Sequence, residues 1–501
     1  MVINYFINNI WLNWHEVLPM ENIILIVYFL ALCVLFAFGI HGIFILYYYR
    51  KTNAKSHPNE KLPDNPPVVT IQLPMYNEST VVERLIDSVC QIEYPKEKME
   101  IQVLDDSTDE TVGIAQQIVE KYKNFGFNIK YIHRPNRDGF KAGALKYGLQ
   151  FAEGEFVAIF DADFVPNKDF LVRTIPHFNN SEIGMVQTRW EHLNEEYSFL
   201  TRAQALALDG HFVLEQQVRN KAGFFINFNG TAGVWRKECI YDAGNWQADT
   251  LTEDLDLSYR AQLKGWKFRF LNDVTSPAEL PADIHALKTQ QFRWTKGAVE
   301  TGIKMLPKVF RSDLPLKIKF ECFVHLSSNI VFPMIIVVAL LNVPLVIIKN
   351  TIGGFDEYYS MMSVFVLASI STFLFYTYAQ KAIHLDWRRR LLLFPVFLAG
   401  SMGFAVNNTK AVLEAMVGKK SGFARTPKTG IIGKQQISLK SKSKPKFSFI
   451  LIAEILLTLY FVAGIGISVR YLEIAAIPFQ LMFLLGFGSI GWMTLKQALG
   501  R

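Results

Sequence analysis

Four carboxylates crowd one short stretch of the chain. Asp249 stands just ahead of LTEDLDLSYRAQLKGWKF (251–268), and Glu253, Asp254 and Asp256 stand inside it. Such a cluster either solvates a helix start or offers one acid for general acid–base work on a bound hydroxyl. Asp161 and Asp163 flank a small residue in IFDADF. Carboxylates two apart on an irregular turn can face one hard cation together, and Mg2+ or Mn2+ held this way keeps waters and takes phosphate oxygens as further ligands. Asp105 and Asp106 in VLDDSTDE could do the same, or open a helix-capping series with Ser107, Thr108 and Asp109. Lys141 lies between two glycines in RDGFKAGAL. A lysine at a helix N-terminus suits a diphosphate, although an ordinary capped helix would read the same way.

These residues need elements to hold them. PPVVTIQL (66–73), EIQVL (100–104), NIKYIH (128–133) and EFVAIF (155–160) read as strands. Helical stretches fall between them, at about 80–91, up to about 123, and near 140–152. The alternation predicts a mostly parallel sheet with helices on both faces. Ligands bind such sheets beyond the carboxyl ends of the strands, and there the chain reads PMYNE, DDSTDE and DADF. G-x-G-x-x-G is missing from every strand end and a P-loop from the whole sequence, which disfavours a dinucleotide enzyme or a P-loop NTPase.

Half of the 501 residues are apolar, and unevenly placed. Residues 22–49 contain no Lys, Arg, Asp or Glu. They are long enough to cross a bilayer and too long for a signal-peptide core, so they predict a retained anchor. Four more spans are expected at 326–348, 358–380, 447–469 and 474–495. A further apolar segment at 391–407 has basic flanks and is interrupted by Pro395, Gly400 and Gly403. It is expected to lie at the interface or re-enter. That leaves five spans, with the N-terminus outside and the C-terminus inside. Residues 410–446 hold ten Lys or Arg and one acid, as a positive-inside loop does. They lack the aromatic interleaving of a nucleic-acid surface, and no nucleic-acid partner is expected. The four cysteines are far apart, without metal spacing, which fits a reduced, cytosolic setting. The expected organisation is an anchor at 1–50, a cytosolic domain with interface helices at 51–320, and a membrane region at 321–501. The last would include an interfacial helix at about 391–417 and a loop at about 418–446.

LPMYNE, VLDDSTDET, NRDGFKAGAL, IFDADFVPNKDFL, FNGTAGVWR, TEDLDLSYRAQLKGWKF and QQFRWTKG occur in this order. Together they resemble the membrane-embedded family 2 glycosyltransferases of the cellulose synthase superfamily. The likeness is greatest to the cellulose synthase-like branch of mannan and glucan synthases. It is strong over about 66–310 and looser through the C-terminal spans. It implies an α/β GT-A (Rossmann-like) catalytic domain inserted between an N-terminal transmembrane helix and a C-terminal transmembrane bundle. It also implies inverting, metal-dependent transfer from a nucleotide sugar, GDP-mannose or UDP-glucose.

By the family's motifs, the nucleobase pocket falls near Tyr76, Glu78, Asp105 and Asp106, and Lys141 takes the diphosphate. Asp161 and Asp163 become the Mg2+ or Mn2+ site. Asp254 becomes the base, Glu253 supports it, and Asp256 is left to cap the helix. Gln290, Arg293 and Trp294 match Q-x-x-R-W, with Gln291 as an extra residue. Trp294 would offer a flat face to a sugar ring, or alternatively anchor the next helix at the membrane interface. Asn229, Gly230 and Thr231 would approach the acceptor. GFARTPKTG (422–430) resembles the F-x-V-T-x-K gating loop, with Phe423, Thr426 and Lys428 in place and Arg425 where the family has valine. Such a loop would fold over the nucleotide and exclude water.

The expected function is a processive synthase in a plasma, inner or Golgi-type membrane. It would extend a β-linked polysaccharide on the cytosolic face and export it through its own spans. One alternative is transfer of a single sugar to a lipid. Another is a transporter or receptor with a nucleotide-sensing domain, whose spans should carry charges along a pathway. Glu454 and Glu473 are the candidates for such charges.

Overall fold

The β-branched runs become one seven-stranded sheet in the computed structural model, which describes residues 19–52, 61–434 and 448–499. The basic run 435–446 of the expected loop lies outside the described residues. The strands are β1 (Val69–Met75), β2 (Met99–Asp105), β3 (Asn128–His133), β4 (Phe156–Ile159), β5 (Ile183–His192), β6 (Gly233–Arg236) and β7 (Lys267–Ala278). Their order is β3-β2-β1-β4-β6-β5-β7. β1 lies parallel to β2 and β4, and β2 to β3. β6 runs antiparallel to both β4 and β5, and β5 pairs parallel with β7. The sheet is therefore mixed. The parallel expectation holds where strands and helices alternate, and it fails at β6, whose four residues show no such alternation.

β1 and β2 are buried at every position, as strands covered on both faces must be. Ile71 and Leu73 pack on one face against Val82, Leu85 and Ile86 of the Val82–Val89 helix. The opposite face packs Leu104, Val157 and Ile159 against Leu145 and Leu149 of the Phe140–Leu149 helix and Trp235 of β6. This core fixes the carboxyl ends of β1, β2 and β4 along one edge, and the acids follow directly.

Five helices are long and apolar enough to cross a membrane: Met20–Thr52, Leu316–Thr351, Asp356–Ile383, Phe449–Arg470 and Ile477–Ala498. The segment around 391–407 forms a bent pair, Trp387–Gly403 and Ala405–Met416, that turns by 44°. Gly403 lies at the bend, pressed against the Ile477–Ala498 helix: a Cβ there would stand 2.4 Å from the Gly486 carbonyl oxygen. Glu454 and Glu473 do not stand alone along a pathway. Glu454 pairs with Lys288 and Glu473 with Lys349, each at 2.7 Å. The four cysteines are unpaired thiols.

Candidate active site

The turns after β1 and β2 are buttoned together. Asn77 adopts a left-handed φ of 56°. Its N–H donates to Ser107 Oγ at 2.7 Å, and its Oδ1 accepts from the Thr108 N–H at 2.8 Å. Ser107 and Thr108 thus hold the neighbouring turn, while Asp109 alone of the expected capping series turns to the helix start, accepting from the Thr111 N–H at 3.0 Å. The pocket beyond these turns is lined by Tyr76, Glu78, Asp106 and Lys141, among others. The Arg137 guanidinium sits 3.4 Å from the centre of the Tyr76 ring. Arg134 grips Asp106 with two nitrogens, Nε at 2.8 Å. Asp105 faces the other way. It is fully buried and takes the Ser107 N–H and the Tyr131 hydroxyl, at 2.9 and 2.8 Å. Of this pair only Asp106 lines the pocket.

Asp161 and Asp163 follow β4. The Asp161 N–H donates to Thr231 Oγ1 at 2.9 Å, which buries Thr231 behind the turn rather than in the cavity. Lys141 Nζ bridges Asp161 Oδ1 at 2.5 Å and the Gly230 carbonyl at 2.9 Å. Lys428 Nζ lies 2.7 Å from Asp163 Oδ2, and Asp163 Oδ1 is buried without a hydrogen-bond partner among the described residues. Among the described residues, no group of three or more His, Cys, Asp or Glu could enclose a metal. Two neighbouring carboxylates, one with an orphaned oxygen, fit an ion that takes most of its ligands from phosphate and water. Burial pushes the Glu78 carboxyl up to about 8, Asp163 and Asp161 adding to the rise against Arg425 and Lys428.

Thr252 precedes the Glu253–Leu263 helix, and Asp254 occupies its first turn. Asp254 Oδ1 accepts from the Leu255 N–H at 2.8 Å. Its other oxygen approaches Gly230 so closely that a Cβ there would stand 2.9 Å away, and Gly230 also holds a φ of +82°. Burial, then the Glu253 charge, raises the Asp254 carboxyl to about 7, against Lys141 and Arg293. Glu253 and Asp254 line a second cavity, which adjoins the first at Lys141, Asp161 and Asp163. Asp256 does not cap the helix. Its buried carboxylate takes Arg260, one turn on, and Lys304, both at 2.8 Å.

The Ile284–Arg311 helix supplies the far wall. Gln290, Arg293 and Trp294 lie three and four residues apart, so one stripe carries all three into the cavity with Asp254, while Gln291 falls outside the lining. Trp294 stands in this wall, 6.4 Å from the Trp190 ring. Three lysines tie the helix to its surroundings. Lys288 binds Glu454, Lys296 binds Glu414 at 3.3 Å and Ser421, and Lys304 binds Asp256.

The loop 422–430 lies across the pocket. Phe423, Thr426 and Lys428 all line it. Phe423 is wedged between the Arg293 guanidinium at 4.5 Å and the Phe140 ring at 5.8 Å. Arg425 grips the turn after β1, donating to the Tyr76 and Asn77 carbonyls and to Glu78 at 2.9 Å. Glu279, after β7, accepts the Thr429 and Gly430 N–H groups at 2.8 and 2.9 Å. Arg137, Glu279 and the cavity-lining Trp190 and His192 are site residues that the motif reading passes over. The rule that found the other acids, a carboxylate just beyond a strand, would have found Glu279.

A mixed sheet with acids at its strand ends, a D-x-D turn and a second cavity lined by Glu253 and Asp254 make up a glycosyltransferase of the GT-A fold. A family model described as glycosyltransferase like family 2 matches residues 66–297. Glucomannan 4-beta-mannosyltransferase 1 of Oryza sativa subsp. japonica is 38% identical over 390 residues, 76% of this chain and 73% of that protein. Glucomannan 4-beta-mannosyltransferase 2 of Arabidopsis thaliana is 42% identical over 282 residues, 55% of this chain and 52% of that protein. The solved mannosyltransferase of Pyrobaculum calidifontis, in complex with GDP-Man and Mn2+, matches with a TM-score of 0.57 at 18% identity. That match covers 79% of this chain and 100% of the other, and it bears on the fold. The chain belongs to the family 2 glycosyltransferases, in their cellulose synthase-like branch, and is a nucleotide-sugar-dependent hexosyltransferase.

Proposed function

We propose that this enzyme builds a β-1,4-linked mannan or glucan, adding hexoses processively with inversion at the cytosolic face and exporting the chain through its own spans. GDP-mannose is the favoured donor, given the names of the relatives, and UDP-glucose the second. The observation that carries the reading is the place of Asp254. It lies between the Lys141–Asp161 side of the nucleotide pocket and the cavity walled by Gln290 and Trp294. An acceptor hydroxyl there reaches both the base and the donor's anomeric carbon. Asp254 takes the hydroxyl proton as the oxygen attacks, and the nucleoside diphosphate departs towards Lys141 and Arg293. A Mg2+ or Mn2+ ion on Asp161 and Asp163 would offset the charge that develops on the diphosphate. Trp294 and Trp190 supply flat apolar faces for sugar rings. The Phe423–Lys428 segment covers the nucleotide and excludes water.

The test uses the full chain in nanodiscs with radiolabelled GDP-mannose, UDP-glucose and related donors, and linkage-specific glycanases on the product. Long product from one donor, cut by a mannanase or a cellulase, supports the reading. A single labelled, lipid-extractable species refutes it in favour of a lipid transferase.

A further inference from the structure

Between Phe199–Asp209 and Gln217–Ala222, a π-helical turn spans Gly210–Gln216. Widened turns of this kind recur at functional sites because they re-aim side chains. Here the turn aims His211 at the acceptor-side loop. His211 Nε2 lies 3.0 Å from Asn229 Oδ1, and Nδ1 lies 3.0 Å from Glu215 Oε2. Asn229 Oδ1 also accepts from Asn227 Nδ2 at 2.9 Å. The amide oxygen is therefore fully engaged away from the cavity that Asn229 lines with Asp254. Among the described residues, its nitrogen has only a long 3.5 Å contact, to the Asn227 carbonyl.

Glu215 is itself braced. Its Oε1 lies 3.0 Å from Arg219 Nη2, which is 4.0 Å from Glu321, which in turn holds His41 of the first membrane helix at 2.8 Å. Arg219 and Glu321 are almost wholly buried. Burial works against the Glu215 charge, yet Arg219 and His211 outweigh it and hold the carboxyl well below its ordinary range. With a carboxylate on one side and an amide oxygen on the other, both ring nitrogens of His211 are placed to donate.

We infer that His211, braced by Glu215, is a positioning residue for the acceptor. It holds the Asn229 amide so that its N–H2 group faces the acceptor-side cavity and hydrogen-bonds a sugar oxygen beside Asp254. This rests on the proposed reading of that cavity as the acceptor site.

The test is transfer to manno-oligosaccharides of defined length by the full chain in nanodiscs. His211→Ala is expected to raise the acceptor KM about tenfold and leave the donor KM and the unfolding temperature unchanged. His211→Gln, which keeps one donor nitrogen, is expected to recover most of the loss. His211→Ala combined with Asn229→Ala is expected to be no worse than Asn229→Ala alone. Glu215→Gln loosens the imidazole without emptying its place, and should shift the acceptor KM in the same direction, less far. Additive losses in the double variant, or an equal rise in donor and acceptor KM, would overturn the inference. If the wild-type enzyme transfers to no oligosaccharide, the reading of the cavity falls first and this inference with it.

Discussion

Glu454→Leu is expected to destabilise the protein by about 3–5 kcal/mol, and adding Lys288→Met is expected to restore most of it. The Lys288 ammonium makes three contacts, to the two Glu454 oxygens at 2.7 and 2.8 Å and to Thr494 Oγ1 at 2.7 Å. Lys288 is 6% exposed and Glu454 0%. Removing the carboxylate strands an ammonium where water cannot reach it, with one hydroxyl left as acceptor. Replacing both partners by apolar side chains of similar volume removes the stranded charge, and such swaps cost little or stabilise by about 1–4 kcal/mol. The coupling between the two sites is therefore about 3 kcal/mol or more. Denaturant unfolding in mixed micelles, followed by tryptophan fluorescence, measures all four corners of the cycle. A single variant within about 0.5 kcal/mol of wild type, or a double variant as unstable as the single, would refute the reasoning. Lys288 precedes Gln290 by less than one turn, so activity should fall with stability in the single variant and return in the double.

Asp254→Asn should lower kcat by about 10²–10⁴-fold with nucleotide affinity retained, measured by turnover and calorimetry. Because burial and Glu253 raise the Asp254 carboxyl to about 7, kcat/KM should fall as pH drops below that value and the base gains a proton. An acid limb at the ordinary carboxylate range would contradict this environment. Gly230→Ala places a methyl 2.9 Å from an Asp254 oxygen at a φ of +82°, and should cost about 10²-fold in kcat while the protein stays folded by size-exclusion and thermal assays. A chelator should abolish transfer, and Mg2+ or Mn2+ should restore it. Persistence of full activity after exhaustive chelation would remove Asp161 and Asp163 from the metal role.

The parallel half of the sheet was legible because its strands are short apolar runs separated by helices. β3 is found over the residues expected of it, 128–133, and β1 starts later than expected, at Val69, beyond Pro66 and Pro67, which have no N–H for a ladder. β6 was not legible, since Gly233–Arg236 is too short to show a pattern. The five membrane helices stood out by length and apolarity. Within the site, motif spacing brought Asp254, the D-x-D acids and the Gln290–Trp294 stripe forward together. It could not separate Asp105 from Asp106, because their fates depend on Tyr131 and Arg134 of another strand and its following turn. Asp256 read as a cap, but Arg260 four residues on was a visible partner at helical spacing. Arg425 looked like a departure from the gating pattern, and in the structure it fastens the loop to Glu78. The His211–Asn229 contact spans 18 residues and a π turn, which no periodicity reveals.

The 28-residue helix from Ile284 to Arg311 is about 42 Å long, and its lysines at 288, 296 and 304 fasten it to the last spans, the loop base and the Glu253–Leu263 helix in turn. A rod pinned at three points, rather than a linker, therefore joins the apolar C-terminal helices to the wall of the cavity that Asp254 lines. The hydrophobic thickness of the membrane becomes a variable of the chemistry. Lipids that thin or thicken it would tilt the spans that hold Lys288, and the cavity wall of Gln290, Arg293 and Trp294, within two turns of that lysine, would move with them.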